Sequence, residues 1–160
     1  MIEGLKGKVA IVTGGAHGIG KAYCLGFAQA GAHVVIADID EAAAKRGGAE
    51  ITNDFGAPTL ALHTDVSNEA STKEMAARAL ERFGRIDVLV NNAAYQMSQG
   101  GGILAISTEQ FDRVLKTNLY AMFWLCKAAV PHMPPGASII NTASIQASQP
   151  SPELIDYALT

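Results

Sequence analysis

Two spacings of apolar residues alternate along this chain. Short runs rich in β-branched residues are buried on both faces in pattern, and longer stretches place apolar residues three and four apart. The runs at 8–13 (KVAIVT), 32–38 (AHVVIAD), 59–63 (TLALH), 86–90 (IDVLV) and 138–142 (SIINT) predict five strands. Between them, 18–30, 41–53, 68–83 and 108–130 predict helices, and 152–159 begins another. The punctuation agrees: Gly31 and Gly84 stand where helices stop, Asn68 can cap the third helix, and Thr108-Glu109 can open the long one. Pro131, Pro134 and Pro135 end it. Phe111, Leu115, Leu119, Met122, Phe123 and Leu125 follow helical spacing and are expected in the core.

Strand and helix in strict alternation mean parallel βαβ units with right-handed crossovers. The expected fold is therefore α/β, a Rossmann-type doubly wound parallel sheet of about five strands ordered 3-2-1-4-5. We expect one domain over 1–160, incomplete at its C-terminus, since such a sheet normally carries further strands. The fifth would be an uncovered edge with an apolar face.

Composition narrows the partners. Apolar residues at 49% and charged residues at 17% suit a soluble globular chain. A net charge of -3 with scattered Lys and Arg gives no footprint for nucleic acid and no basic membrane patch. The opening Met1-Ile2-Glu3-Gly4-Leu5-Lys6 carries an acidic residue and no apolar run, so no signal peptide is expected there. The longest apolar stretch, 119–126, is too short for a membrane span. Cys24 and Cys126 both fall in helical patterns, which predicts buried thiols in a reducing compartment and a cytoplasmic location. His17, His33, His63 and His132 lack metal-ligand spacing, so no metal site is expected.

Chemistry enters at Thr13-Gly14-Gly15-Ala16-His17-Gly18-Ile19-Gly20, between the first strand and first helix. Gly14, Gly18 and Gly20 permit a tight turn, close approach of backbone to a pyrophosphate, and close helix–strand packing. The helix start offers unpaired N–H groups and a positive dipole end to phosphate. His17 would touch the cofactor simply by lying in this loop. The spacing differs from the general G-x-G-x-x-G pattern. Asp38, at the end of the second strand, can accept hydrogen bonds from both ribose hydroxyls of NAD and would repel the extra phosphate of NADP. NAD is thus favoured over NADP, with Asp40 a weaker rival for the role.

These features resemble the classical short-chain dehydrogenase/reductase family along essentially the whole chain. Residues 13–20 match its T-G-x-x-x-G-I-G, and Asp65-Val66 resembles its adenine-contacting pair. Asn91-Asn92-Ala93-Ala94 resembles its N-N-A-G, with Ala94 replacing the glycine. The resemblance makes Asn92 and Ala93 cofactor contacts alongside Gly14, His17, Gly18, Ile19, Gly20, Asp38, Asp65 and Val66. Lys116-Thr117-Asn118 matches the position of a catalytic asparagine, Ser144 that of the catalytic serine, and Tyr157 that of the tyrosine thirteen residues later. The second half, around Tyr95-Gln96-Met97-Ser98, Met133-Pro134-Pro135-Gly136 and Ser151-Pro152-Glu153-Leu154, resembles a bacterial subgroup related to glucose dehydrogenases and general-stress oxidoreductases.

The resemblance implies a hydride exchanged between a nicotinamide cofactor and an alcohol or ketone, with sugars and polyols included. Tyr157 would exchange a proton with the substrate oxygen, Ser144 would hold that oxygen, and Asn118 would hold a water. A phenol with pKa of about 10 is a poor base at neutral pH, and the family lowers it with a lysine four residues after the tyrosine. After Tyr157-Ala158-Leu159-Thr160 that lysine is next due, so the 160-residue chain is expected to turn over little or no substrate and to act as an N-terminal fragment. The alternatives are a non-catalytic dinucleotide-binding or interaction module, and a truncated product that folds poorly. Trp124 and the apolar excess on the long helix fit a subunit interface, and the family resemblance implies a homodimer or homotetramer.

Overall fold

The strand β1 (Val9–Thr13) is buried at every position because alternate residues enter two separate cores. Val9 and Ile11 join one apolar cluster, while Ala10 and Val12 point through the sheet into the other. Period-two side-chain geometry makes this unavoidable for a central strand covered on both faces. The computed structural model describes residues 4–160, so the first three residues of the Met1–Lys6 opening lie outside the described residues.

Around β1 the chain winds in both directions. Helix α1 (Gly18–Gln29) leads to β2 (His33–Asp38), α2 (Glu41–Phe55) to β3 (Thr59–His63), and α3 (Glu69–Phe83) to β4 (Val88–Asn91). A single-turn 3-10 segment, Gly102–Ala105, precedes α4 (Thr108–Leu115) and α5 (Ala121–Ala129), followed by β5 (Ser138–Asn141) and the short α6 (Ile155–Ala158). All strand pairs are parallel and the order is β3-β2-β1-β4-β5. Register aligns Val12 with Ile36 on one side and with Val90 on the other. The sheet order and strand positions follow the sequence pattern to within two residues. As expected, β5 is an exposed edge along its length.

The expected helix 108–130 runs without a break to 129 but changes its winding on the way. A wide π turn, Lys116–Tyr120, separates α4 from α5, and a 3-10 turn at Val130–His132 follows α5. Its inward face also differs from the apolar spacing. Val114, Asn118, Ala121, Leu125 and Ala129 are buried, whereas Phe111, Leu119 and Phe123 are 37%, 46% and 64% exposed. Leu115 and Met122 are half-buried. Ala121, Leu125 and Ala129 join the core cluster with Met75, Ala76 and Ala79 of α3, and the bulky Leu119 and Phe123 face outward. Helix α6 is likewise shorter than 152–159, because Pro152 and its neighbours form a turn. Cys24 is buried, as expected, and Cys126 is half-buried. No helix among the described residues is long and apolar enough to cross a membrane.

One polar cluster secures the end of the sheet opposite the glycine turn that follows β1. Buried Asp87 accepts from the backbone N–H of Val9 at 2.9 Å and from both arms of Arg85 at 2.8 and 2.6 Å, and Lys8 Nζ stands 3.4 Å away. Burial pushes the Asp87 carboxyl pKa up, but the Arg85 hydrogen bond, the Val9 N–H and the cations outweigh it and hold it below the usual value. A lowered folded pKa means that this stabilisation is present above the unfolded value of about 3.9 and is lost as pH falls through the folded one. Asp87→Ala should cost about 2 kcal/mol at neutral pH, chiefly by leaving the Val9 N–H buried without an acceptor. Urea melts across pH should show the gap to wild type shrinking below about pH 4. A gap that stays constant under strongly acid conditions would contradict the assignment.

Candidate functional site

The C-terminal ends of the parallel strands open into one cleft of about 650 Å³, where ligands of such sheets bind at the switch between windings. Gly14, His17, Asp38, Asp65, Val66, Asn92 and Ala93 all line it. Gly18, Ile19 and Gly20 form the first turn of α1 beside it.

The loop at 13–20 is held against its neighbours by hydroxyl and amide groups. Thr13 Oγ1 donates to Val90 O at 3.2 Å and accepts from Asn92 N and Ala93 N at 3.0 and 3.1 Å. The Asn92 amide returns a hydrogen bond from Nδ2 to Thr13 O at 3.0 Å. Gly14 takes a left-handed φ of +63°, and a Cβ there would stand 3.0 Å from Ala93 Cα. A Cβ on Gly20 would fall 2.0 Å from Gly14 O. Both positions therefore demand glycine for close approach. Asn91 does not reach the cleft. Its Nδ2 donates to Asn141 Oδ1 at 2.8 Å and joins β4 to β5. Behind the loop, burial pushes the Cys24 thiol up to about 12, which leaves it unreactive at neutral pH.

Asp38 ends β2 with its carboxylate fixed by backbone. Oδ2 accepts from Ala16 N at 2.9 Å and Oδ1 from Asp40 N at 3.0 Å, and the residue is 8% exposed. Asp40 instead caps α2 through Ala43 N and meets His17 Nε2 at 3.1 Å. The Ala43 N–H and the His17 contact hold the Asp40 carboxyl below the ordinary range. On the far wall, Asp65 Oδ1 accepts from Ser67 N and Oγ at 3.0 and 2.6 Å, which fixes the turn that leads into Val66.

A second cavity of about 80 Å³ adjoins the first and shares Asn92, Ala93 and Ala94 with it. Asn118, Ser144 and Tyr157 all line it, together with Met122 and Thr142. The three residues thus meet although they come from a helix turn, a strand end and a separate helix. Asn118 sits in the π turn, and such turns gather at functional positions. Its Oδ1 accepts from Tyr95 N at 2.7 Å, and its Nδ2 donates to Tyr95 O at 2.9 Å and Thr160 Oγ1 at 3.1 Å. Thr160 Oγ1 in turn donates to Tyr157 O at 2.8 Å. Asn118 therefore clamps the Tyr95 backbone and the Thr160 hydroxyl directly. Ser144 Oγ accepts from Gln146 N at 3.2 Å, so its hydroxyl hydrogen remains available.

Some cleft residues were not foreseen. Arg113 lies 3.9 Å over the Tyr95 ring, and Arg113, Tyr95 and Thr117 line the cleft with Ile39, Thr64 and Ser67. Tyr95 and Thr117 lay within family-like motifs, and Arg113 stands one helical turn before Thr117, but their place on the cleft wall had no signal of its own. Among the described residues no group of three or more His, Cys, Asp and Glu could hold a metal ion.

Comparison with known proteins agrees with this geometry. Residues 8–160 match the model of the short chain dehydrogenase family, and the chain belongs to that family. An uncharacterized oxidoreductase of Bacillus subtilis, YhdF, is 41% identical over 98% of this chain and 54% of its own length. The glucose and ribitol dehydrogenase of Daucus carota is 36% identical over 98% of this chain and 55% of its own. In structure the chain is similar to L-sorbose reductase from Gluconobacter frateurii, solved with NADPH and L-sorbose, with a TM-score of 0.94 and 30% identity. That match covers 100% of this chain and 61% of the reductase. The chain spans about half the length of the curated relatives it matches.

Proposed function

We propose that this chain builds the dinucleotide site and the proton-transfer side of an NAD(P)-dependent oxidoreductase for alcohols and ketones, with a sugar or polyol as substrate class. The observation that carries the reading is continuity. One cleft holds the phosphate loop, Asp38, Asp65-Val66 and Asn92-Ala93, and runs into the cavity lined by Asn118, Ser144 and Tyr157. The glycine turn suits a dinucleotide, because the close Gly14–Gly20 packing, which a Cβ at position 20 would break, brings the start of α1 and its N–H groups beside the cleft. Gly14, Gly18, Ile19 and Gly20 would hold the pyrophosphate, with His17 at the rim, while Asp38 takes the ribose hydroxyls and Asp65-Val66 the adenine. When bound, the nicotinamide supplies hydride transfer.

The chain's own residues manage the proton. Ser144 has its oxygen engaged by Gln146 N–H, so its hydroxyl donates toward the substrate oxygen and holds it. Tyr157 then gives or takes the proton at that oxygen. Asn118, through Tyr95 and Thr160, keeps the walls of the cavity in place. Saturable quenching of protein fluorescence by NADH, followed by turnover assays on sugars and polyols, tests the reading. These 160 residues should bind NADH with little or no turnover; binding without turnover in the chain extended to the length of its relatives would leave a dinucleotide-binding module as the function.

We infer NAD rather than NADP from the fixed carboxylate of Asp38, although the sorbose reductase was solved with NADPH. The wild type should bind NADH about tenfold or more tighter than NADPH, a difference of about 1.4 kcal/mol. Asp38→Ala should narrow that ratio severalfold. Tighter binding of NADPH by the wild type would sink the inference. The reading extends to a cytoplasmic setting, supported by the free thiols Cys24 and Cys126. It extends also to self-association, supported by the exposed apolar row Leu119, Tyr120, Phe123 and Val130.

A further inference from the structure

Helix α6, which carries Tyr157, has four residues, and one turn of helix cannot hold itself in place in water. Its position must come from side-chain ties. The principal one is unusual, since it runs through a buried carboxylate. Asp156 is 2% exposed, yet no Lys, Arg or His pairs with it among the described residues. Its Oδ1 accepts from Tyr157 N at 2.9 Å and its Oδ2 accepts from Gln110 Nε2 at 2.8 Å. A buried carboxylate without a cation is costly and needs well-placed donors.

Gln110 stands in the first turn of α4, and both ends of its amide are engaged. While Nε2 donates to Asp156, Oε1 accepts from Gln99 Nε2 in the loop after β4. The amide therefore has one satisfied orientation. Two more bonds join the same loop to the segment before Tyr157. Gln99 N donates to Glu153 O at 3.0 Å, and Ser98 Oγ donates to Glu153 Oε2 at 3.1 Å. Loop, α4 and α6 are fastened at one point, one residue from the tyrosine.

We propose that Gln110 and Asp156 are positioning residues for Tyr157: their hydrogen bond fixes α6 against α4, and Gln99 and Glu153 make the loop after β4 part of the same unit. The proposal rests on the reading of Tyr157 as the proton-transfer group. It predicts that the hydrogen bond matters, and that its direction can be exchanged. Gln110→Glu removes the donor and sets two carboxylates face to face. Adding Asp156→Asn restores the bond with polarity reversed, since Glu at 110 can accept from both Gln99 and Asn at 156.

The experiment follows geometry in this chain, and turnover in the chain extended to the length of its relatives. With 3-fluorotyrosine incorporated, the Tyr157 resonance is assigned by its loss in Tyr157→Phe. Gln110→Glu should shift or broaden that resonance, and the double variant should return it. Turnover should fall about tenfold or more in Gln110→Glu, as displacement of a reacting group by about an ångström can do, with NADH affinity unchanged. The double variant should recover most of the loss. A wild-type resonance and wild-type kcat in Gln110→Glu would overturn the proposal, and so would a loss that the double variant fails to recover. A resonance that moves and returns, with no turnover in the extended chain, would support the positioning and overturn the oxidoreductase reading alone.

Discussion

Gly20→Ala is expected to abolish measurable dinucleotide binding. The added Cβ would lie 2.0 Å from the carbonyl oxygen of Gly14, and 2.8 Å from both Gly14 C and Asn92 Nδ2. The oxygen and carbon are backbone, so no rotamer change relieves the contact. Either α1 moves away from β1 or the turn at Gly14 opens, and each removes N–H groups from the phosphate position. Overpacking of this kind costs about 1–3 kcal/mol of stability. A helical glycine replaced by alanine would otherwise gain about 1 kcal/mol from propensity, so sterics decide the sign. Gly26 in the same helix supplies the control. A Cβ added to Gly26 would have no neighbour within 4 Å, and Gly26→Ala should raise the melting temperature while NADH titrations stay unchanged. If Gly20→Ala bound NADH like the wild type, the loop would not be the pyrophosphate site.

The second large effect concerns Tyr157. In this chain extended to the length of its relatives, Tyr157→Phe should lower turnover by about 10²–10⁴-fold, the range spanned by a positioned proton donor or acceptor. The phenyl ring keeps the packing of α6, and the Asp156, Thr160 and Asn118 contacts use backbone atoms of Tyr157 or none of its atoms. Stability and NADH affinity should therefore stay near wild type. That split separates a group acting on substrate from one that merely supports the fold. Equal losses in binding, stability and turnover would assign Tyr157 to packing instead.

Much of the molecule was legible along the chain, for local reasons. The runs at β1, β2 and β4 are short, β-branched and bounded by turn residues, so their identity as buried parallel strands follows from pattern alone. The turn at 13–20 was legible because its glycines are required by backbone geometry at fixed spacing. Asp38 was legible because a strand end is a definite place in this architecture. The long helix was not legible in the same way. Its apolar spacing favoured Phe111, Leu119 and Phe123 as core, yet the sheet accepted Val114, Ala121 and Ala129. Periodicity shows which residues share a face and leaves open which face must approach another element most closely.

Local sequence thus determined the strands, most helices and the glycine turn between β1 and α1. Tertiary structure alone decided the π turn at Asn118, the stacking of Arg113 on Tyr95, and the convergence of Asn118, Ser144 and Tyr157 on one cavity. It also decided the Gln99–Gln110–Asp156 chain of amide and carboxylate. The physical reason is range. Caps, glycine turns and alternation act over a few residues, whereas Gln110 and Asp156 are 46 positions apart and become partners only when α4 and α6 pack.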